Sequence, residues 1–484
     1  MRRRGRMRKY GWLAAGAAGA ALFYVLFAHH TLARVWVDEP NYTQSGLNYL
    51  HGDLAMNPEH PPLAKYILGL WQLVAGEGPL PCRLLMGALV ACTCMAMWWL
   101  LKPTTGPTAA MATAFAWGLM PRMFQGEDRI DRFVSLDVFM VMFLIAGIAF
   151  TWHWYLRGGL WRIAVAGVLI GAAAMCKLTA LLAVPALFVL VPPPRRHSAP
   201  GARRTWGSTL VGMAVFTLGA AVVCVASLWP FGVIDGVRRM FELQSSHNAL
   251  GQTITLHGSV YGSAPWWATF AYAWESLGLL PSVALVGGSL LCWTLVHNRL
   301  VAVLTVQLMT IVGFLCWSHV ALPHYVLDWA WIPTILMGLG VWSATGAGET
   351  AIRWVQPLTL VVVAMLGSAV QTIIHVATMT PHGIQLIPAL VSQGPLPEGK
   401  TLVMSVPDWQ SAPASIQNIA VDDRAESITS IVVGHDQGHP PTSALSTFLA
   451  NLPADVRHIT VDDVELYLLP APLQQTNGVL SLRR

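Results

Sequence analysis

Charge is what this sequence has least of. Only 11% of its 484 residues are Asp, Glu, Lys or Arg, where soluble globular chains carry about 25%. With 55% hydrophobic residues and a mean hydropathy of +0.53, the chain cannot be divided by length into ordinary water-soluble domains. Cysteine is also sparse. Cys82, Cys92, Cys94, Cys176, Cys224, Cys292 and Cys316 are scattered, mostly inside apolar blocks, and none lies in the final hundred residues. That spacing offers neither a disulfide framework nor a thiolate metal motif. Solenoid-type repeats are absent. The formal charge of +5 comes from 29 basic and 24 acidic residues, and Arg2, Arg3, Arg4, Arg6, Arg8 and Lys9 supply more than that excess. It is a local membrane-facing signal, with no nucleic-acid footprint.

What is abundant is apolar sequence in long blocks. They recur at 11–29, 82–101, 108–121, 133–156, 161–176, 178–191, 207–230, 268–296, 300–317, 324–343 and 355–375. The pattern predicts a polytopic all-α membrane protein with about 11 transmembrane helices. The two blocks around Lys177 are short against the roughly 20 residues of a full crossing. Six basic residues before the first block resemble the start of a secretory signal, but more membrane pattern follows, and the reading is a retained first helix with a cytoplasmic N-terminus. Lys102, Arg157 and Arg162, the Arg195, Arg196, Arg203, Arg204 group, Arg299 and Arg353 then fall on the inner side, as the positive-inside rule requires.

The division expected is a membrane domain over 1–378, with outer loops 30–81 and 231–267, and a soluble extracytoplasmic domain over 379–484. That last part has ten acidic and five basic residues and strand-like runs between Gly, Pro and Asp turns, which predicts a small mixed α/β domain on the outer face.

The first outer loop contains Asp38-Glu39-Pro40 after Trp36-Val37, then Pro58-Glu59-His60-Pro61-Pro62-Leu63-Ala64-Lys65. Paired carboxylates near a membrane surface suit a general base; solvated loop charge with an Asp helix cap is the alternative. A second outer segment runs Glu127-Asp128-Arg129-Ile130-Asp131-Arg132 to Asp137. Asp137 sits at the edge of an apolar helix and needs a partner, and either Arg129 or Arg132 could pair with it or clamp a phosphate. Lys177 falls in a short outer turn and is either a phosphate contact or a snorkelling anchor. His257 with Glu59 or His60 could ligate zinc or another divalent ion, and a hydrogen-bonded loop histidine is the simpler account. Trp266 and Trp267 fit an interfacial belt. His324-Tyr325 starts the tenth predicted helix on the same side, where the pair contacts a phosphate or sugar or anchors the helix.

At these residues the chain resembles C-type membrane glycosyltransferases, specifically the protein O-mannosyltransferase family and its aminoarabinose-transferase relatives. The carriers are Asp38-Glu39, His60-Pro61-Pro62-Leu63 with Lys65, the Arg132 to Asp137 segment, Pro265-Trp266-Trp267 after His257, and His324-Tyr325, in the family's order, up to about residue 345. The resemblance implies an inverting transfer of sugar from a polyprenyl-phosphate donor to an acceptor hydroxyl on protein, glycan or lipid. Asp38 would be the base, with Glu39 shaping its loop. His60, Lys65, Arg129, Arg132, Asp137, Lys177, His324 and Tyr325 would meet donor or phosphate, and Glu59 and His257 a divalent ion such as zinc, magnesium or manganese. A donor arriving through the bilayer fits the missing nucleotide-binding glycine fingerprint. His324 departs from relatives with Arg before the Tyr, exchanging a permanent cation for a group that titrates near roughly 6.5. Rival readings are a multi-pass transporter or lipid flippase and a non-catalytic scaffold. The halves show no repetition and the charges gather in loops, unlike the mid-membrane sites of transporters.

Overall fold

The computed structural model describes residues 2–30, 38–124, 128–192, 205–257, 259–345, 355–379, 396–404, 419–420, 427–434, 443–453, 456–461, 464–476 and 479–482. Trp36, Val37, Glu127, the Arg195, Arg196, Arg203, Arg204 group and Arg353 lie outside the described residues. The chain divides into two compact units. The first comprises Met1–Ala28, Asn41–Glu77 and Pro81–Thr378, and the second His29–Pro40, Gly78–Leu80 and Met379–Arg484.

The first unit is helical. Its elements begin with α1 (Arg2–Phe27), α2 (Asp38–Leu50, whose first turn belongs to the second unit), α3 (Leu63–Ala75) and α4 (Pro79–Leu119). A short hairpin of β1 (Met123–Phe124) and β2 (Asp128–Arg129) leads through a 3-10 turn, Ile130–Arg132, into α5 (Leu136–Arg157) and α6 (Leu160–Cys176). A 3-10 stretch, Leu178–Ala183, and α7 (Val184–Leu187) follow, then α8 (Trp206–Leu228), α9 (Val233–Leu250) and a hairpin of β3 (Ile254–Leu256) and β4 (Ser259–Tyr261). The unit closes with α10 (Ala268–Leu277), α11 (Leu279–Leu295), α12 (Arg299–Trp317), the 3-10 turn Pro323–Tyr325, α13 (Val326–Thr345) and α14 (Val355–Ala377).

Among the described residues six helices are long and apolar enough to cross a membrane: Pro79–Leu119, Leu136–Arg157, Trp206–Phe231, Arg299–Trp317, Pro323–Thr345 and Leu358–Ala377. The pair α10 and α11, bent by 114°, makes a seventh if counted as one span, and four shorter apolar helices accompany them. The protein is therefore polytopic. Both long polar loops of the sequence reading contain helices, α2 and α3 in the first and α9 in the second.

Two packing features position the site. At 41 residues α4 would run about 60 Å if straight, twice the ~30 Å hydrocarbon core. It does not run straight, because Gly106, flanked by Pro103 and Pro107, takes φ 77° and ψ 168°, a left-handed conformation open to glycine. The halves return antiparallel: a Cβ on Gly118 would lie 3.0 Å from Cys94 Sγ, and both residues are twelve positions from the break. The blocks 82–101 and 108–121 thus correspond to the two arms of a hairpin.

The second feature is the crossing of α2 and α3. A Cβ on Gly69 would sit 2.3 Å from the Gly46 carbonyl oxygen, and one on Gly46 2.6 Å from that of Lys65. Only glycine permits this backbone contact. Gly69→Val is expected to force the helices apart at a cost of about 1–3 kcal/mol, read as a lower thermal midpoint of the purified protein in detergent. An unchanged midpoint would show that the contact has room to relax.

The second unit contains a mixed sheet and, among the described residues, one helix of its own. The strands are β5 (Lys400–Met404), β6 (Ile419–Ala420), β7 (Ile428–Gly434), β8 (Arg457–Val461), β9 (Val464–Thr476) and β10 (Val479–Leu482). Their order is β10-β9-β7-β5-β6, with β8 also paired to β9; β5 runs parallel to β6 and β7, and the other pairs are antiparallel. The helix α15 (Ser443–Ala450) contributes Leu445 and Phe448 to a core with Leu402, Ile431, Val433 and Leu469. The β7–β9 register shifts between Ile428 and Ser430, opposite Pro470 and Pro472, which cannot donate to the ladder.

Candidate functional site

Asp38 and Glu39 open α2. Asp38 is partly exposed and Glu39 fully buried. Carboxylates in a first turn lie at the positive end of the helix dipole.

In the first unit the polar side chains form three groups. The first surrounds Lys65, which is buried at the start of α3. Its Nζ donates to Tyr49 Oη and to Asn57 Oδ1 at 3.0 Å, to the His60 carbonyl at 3.0 Å, and to the Asn57 carbonyl. Asn57 has φ +52° and so aims both of its oxygens at one ammonium, while its Nδ2 donates to Glu59 Oε1 at 2.6 Å. Beside this cage opens a cavity of about 580 Å³ lined by Tyr49, Gly52, Leu54, Leu63, Tyr66, Ala226, Ser227 and Pro230. A smaller one of about 120 Å³ has His60 and Arg239 in its wall.

The second group joins the ends of α5, α6 and α13. Lys177, in extended backbone at the end of α6, places Nζ against Asp137 and 3.2 Å from Asp328 Oδ2. Thr179 Oγ1 donates to the same Asp328 oxygen at 3.2 Å, and Ser135 Oγ to Asp137 Oδ2 at 2.8 Å. The ammonium also lies 4.0 Å from the Tyr325 ring centroid, and His324 Nε2 is 3.8 Å from Asp137 Oδ2. This corrects the sequence-based pairing. Asp137 is held by Lys177, with neither Arg129 nor Arg132 as its ion-pair partner, and Lys177 is a buried ion-pair member in place of a snorkelling anchor.

Those two arginines belong to the third group, between α4 and α5. Arg129 makes a two-point contact with Asp131 at 2.9 and 2.7 Å and donates to the Gly118 carbonyl at 2.7 Å. Arg122 contacts the same Asp131, donates to the Trp117 carbonyl at 2.5 Å and stacks 3.9 Å from the Trp117 ring centroid. Arg132 lies 3.4 Å from Asp128 and donates to the Ala28 carbonyl at 2.5 Å. Burial alone would raise Asp131, but Arg122 and Arg129 hold its carboxyl well below the usual range. Burial pulls Arg122 down to about 10, and burial leaves Asp128 raised despite Arg132. The arginines fasten the α4–α5 connection.

His60 stands between the first two groups. Burial, then Lys65 and Lys177, lower its imidazole to about 3, so it stays neutral in the folded protein while an unfolded histidine takes a proton below about 6.5. Stability must then fall as pH drops through 6.5 towards 3, by up to about 1.4 kcal/mol per pH unit. The wild type should lose thermal midpoint more steeply than His60→Asn between those limits; parallel profiles would remove His60 as the cause.

The two residues expected to meet a divalent ion have other partners. His257, at φ +50°, points Nδ1 to Glu275 at 3.6 Å, and Glu59 accepts from Asn57. Among the described residues no group of three or more His, Cys, Asp or Glu side chains is gathered that could hold a metal ion. Sequence reasoning missed Asp328, Thr179, Asn57, Tyr49 and Arg122. Asp328 had a signal, being the lone charged residue in an apolar run beside His324-Tyr325.

The chain is similar to known proteins at two levels, a family model over part of its length and the folds of solved structures over most of it. The model of the dolichyl-phosphate-mannose-protein mannosyltransferase family matches residues 59–231, which include His60, Lys65, Asp137 and Lys177. Among solved structures, ArnT from Cupriavidus metallidurans in the apo state is similar at a TM-score of 0.62 and 14% identity, over 95% of this chain and 98% of that one. Its complex with undecaprenyl phosphate is similar at 0.59 and 15%, over 94% and 98%. The Archaeoglobus fulgidus oligosaccharyltransferase tethered with an acceptor peptide is similar at 0.53 and 11%, over 88% and 69%. No curated protein matches.

Proposed function

We propose that this protein transfers a sugar from a polyprenyl-phosphate donor to an acceptor hydroxyl on protein, glycan or lipid, with inversion at the anomeric carbon. The observation that carries the reading is a fold shared along nearly the whole chain with a protein solved with undecaprenyl phosphate. In this reading the membrane part makes eleven crossings with the N-terminus in the cytoplasm, and residues 379–484 lie outside a plasma or inner membrane.

Asp38 is the general base. It takes the proton of the acceptor hydroxyl as that oxygen bonds to the anomeric carbon. The bond from that carbon to the phosphate oxygen breaks, and the lipid phosphate leaves with the electron pair. Stabilising the departing charge needs a cation that no carboxylate already neutralises. Lys65 meets this requirement better than Lys177, because its four direct oxygen partners are neutral and Glu59 acts on it only from behind Asn57. Burial pulls the Lys65 ammonium down to about 7, and the negative charge of an arriving phosphate pulls it back up. Lys177 does not meet it, because Asp137 already neutralises it, and with its second contact to Asp328 it is assigned to holding α5, α6 and α13 together. Arg129 and Arg132 are assigned likewise to the α4–α5 connection, and His324 and Tyr325 to the wall around Lys177. No step is routed through a metal.

The test incubates purified protein in liposomes with a panel of polyprenyl-phosphate sugars and hydroxyl acceptors. Transfer with inverted configuration is the expected result, and retained configuration or no transfer across the panel would remove the reading.

A further inference from the structure

The Lys65 cage has one acceptor too many. An ammonium has three N–H groups, and four oxygens surround this one: Tyr49 Oη, the Asn57 carbonyl, Asn57 Oδ1 and the His60 carbonyl. At any moment one of them is poorly served, so exchanging it for a better acceptor costs little. The four are not equivalent. Asn57 and His60 belong to the loop preceding α3, and both Asn57 oxygens are fixed by its left-handed backbone. Of the three residues that supply these oxygens, Tyr49 is the one that also lines the 580 Å³ cavity. Its hydroxyl has a second engagement that would survive the exchange, since it donates to the Met56 carbonyl at 3.0 Å. Burial, then Glu59, raise its phenol, so it stays a neutral ligand. Its ring is held independently by Tyr66 and Phe231, each at 5.4 Å between centroids.

We propose that Tyr49 is the displaceable ligand of Lys65: a lipid phosphate entering the cavity replaces the Tyr49 hydroxyl on the ammonium, while Asn57 acts as a positioning residue that holds Lys65 from behind. The proposal deepens the donor-binding part of the function above and rests on Lys65 as the phosphate contact. A charged phosphate oxygen forms a stronger bond to an ammonium than a neutral phenol does, which gives the exchange its direction.

The two residues therefore act with opposite signs. Removing the Tyr49 hydroxyl leaves the ring in place and takes away a competitor, whereas removing the Asn57 side chain loosens the cation. Binding of undecaprenyl phosphate to the full-length protein in nanodiscs, measured without any acceptor, reads both. Tyr49→Phe should lower Kd by about threefold and Asn57→Ala raise it by about fivefold, the scale of one net hydrogen bond. Asn57→Gly, which keeps the backbone conformation and the carbonyl, should fall between wild type and Asn57→Ala, and serves if the alanine variant does not fold. Undecaprenol, which lacks the phosphate, should bind wild type and Tyr49→Phe alike.

Unchanged or weaker phosphate binding in Tyr49→Phe overturns the proposal, as does an equal gain with undecaprenol. Wild-type protein that binds undecaprenyl phosphate with this pattern yet transfers no sugar would defeat the transferase reading alone.

Discussion

Asp38→Asn should abolish measurable sugar transfer, with kcat falling by ~10²–10⁴, the range of a positioned general base, and with binding of undecaprenyl phosphate held within about twofold. The amide is nearly isosteric and leaves the α2 first turn its polar cap, so helix formation is not what the substitution changes. What it removes is the capacity to accept a proton. Glu39 is no substitute, because it is fully buried where Asp38 is partly exposed. Single-turnover rates with saturating donor separate the two quantities. Turnover at the wild-type rate would strip Asp38 of its assignment; loss of donor binding in parallel with rate would make it a structural residue.

Lys177→Met should be the most damaging single change to stability, by about 3–5 kcal/mol, because it leaves Asp137 and Asp328 buried without their shared cation. The cost is mainly that of leaving the buried Asp137–Asp328 carboxyl pair without its cation, so it should be largely recovered in the triple variant Lys177→Met, Asp137→Asn, Asp328→Asn, whose groups are all neutral. Thermal midpoints in detergent for the single and triple variants decide the matter. If the triple variant is no more stable than the single one, packing of the lysine stem outweighs its charge.

The sequence showed the membrane class directly, since so many apolar blocks of that length cannot all be buried within one water-soluble core. It also placed a break between the blocks 82–101 and 108–121, because Pro103, Gly106 and Pro107 punctuate them. Asp137 stood out as a charge that requires a partner, and Lys177 as either a phosphate contact or a snorkelling anchor. Their pairing was not legible. Residues 137, 177 and 328 meet only because α5, α6 and α13 pack together, and no local pattern encodes that. The charges nearer in sequence, Arg129 and Arg132, could each have paired with Asp137 but are committed to Asp131 and Asp128. The Asn57 cage was hidden for a different reason. A left-handed asparagine is permitted by its short polar side chain but not announced by it, and Tyr49 is sixteen residues from the lysine it touches. Asp328 could have been found, by asking why an acid interrupts an apolar helix.

The hairpin in α4 has a consequence for experiments on orientation. Because its second arm runs back along the first, the chain leaves near Leu119 towards the side where it entered near Pro79. The start of α4 and the Arg122 side of the α4–α5 connection therefore lie at the same end of the hairpin. A single impermeant thiol label on a cysteine introduced beside Glu77 reports the sidedness of both at once, and the turn at Gly106 offers the opposite surface as its control.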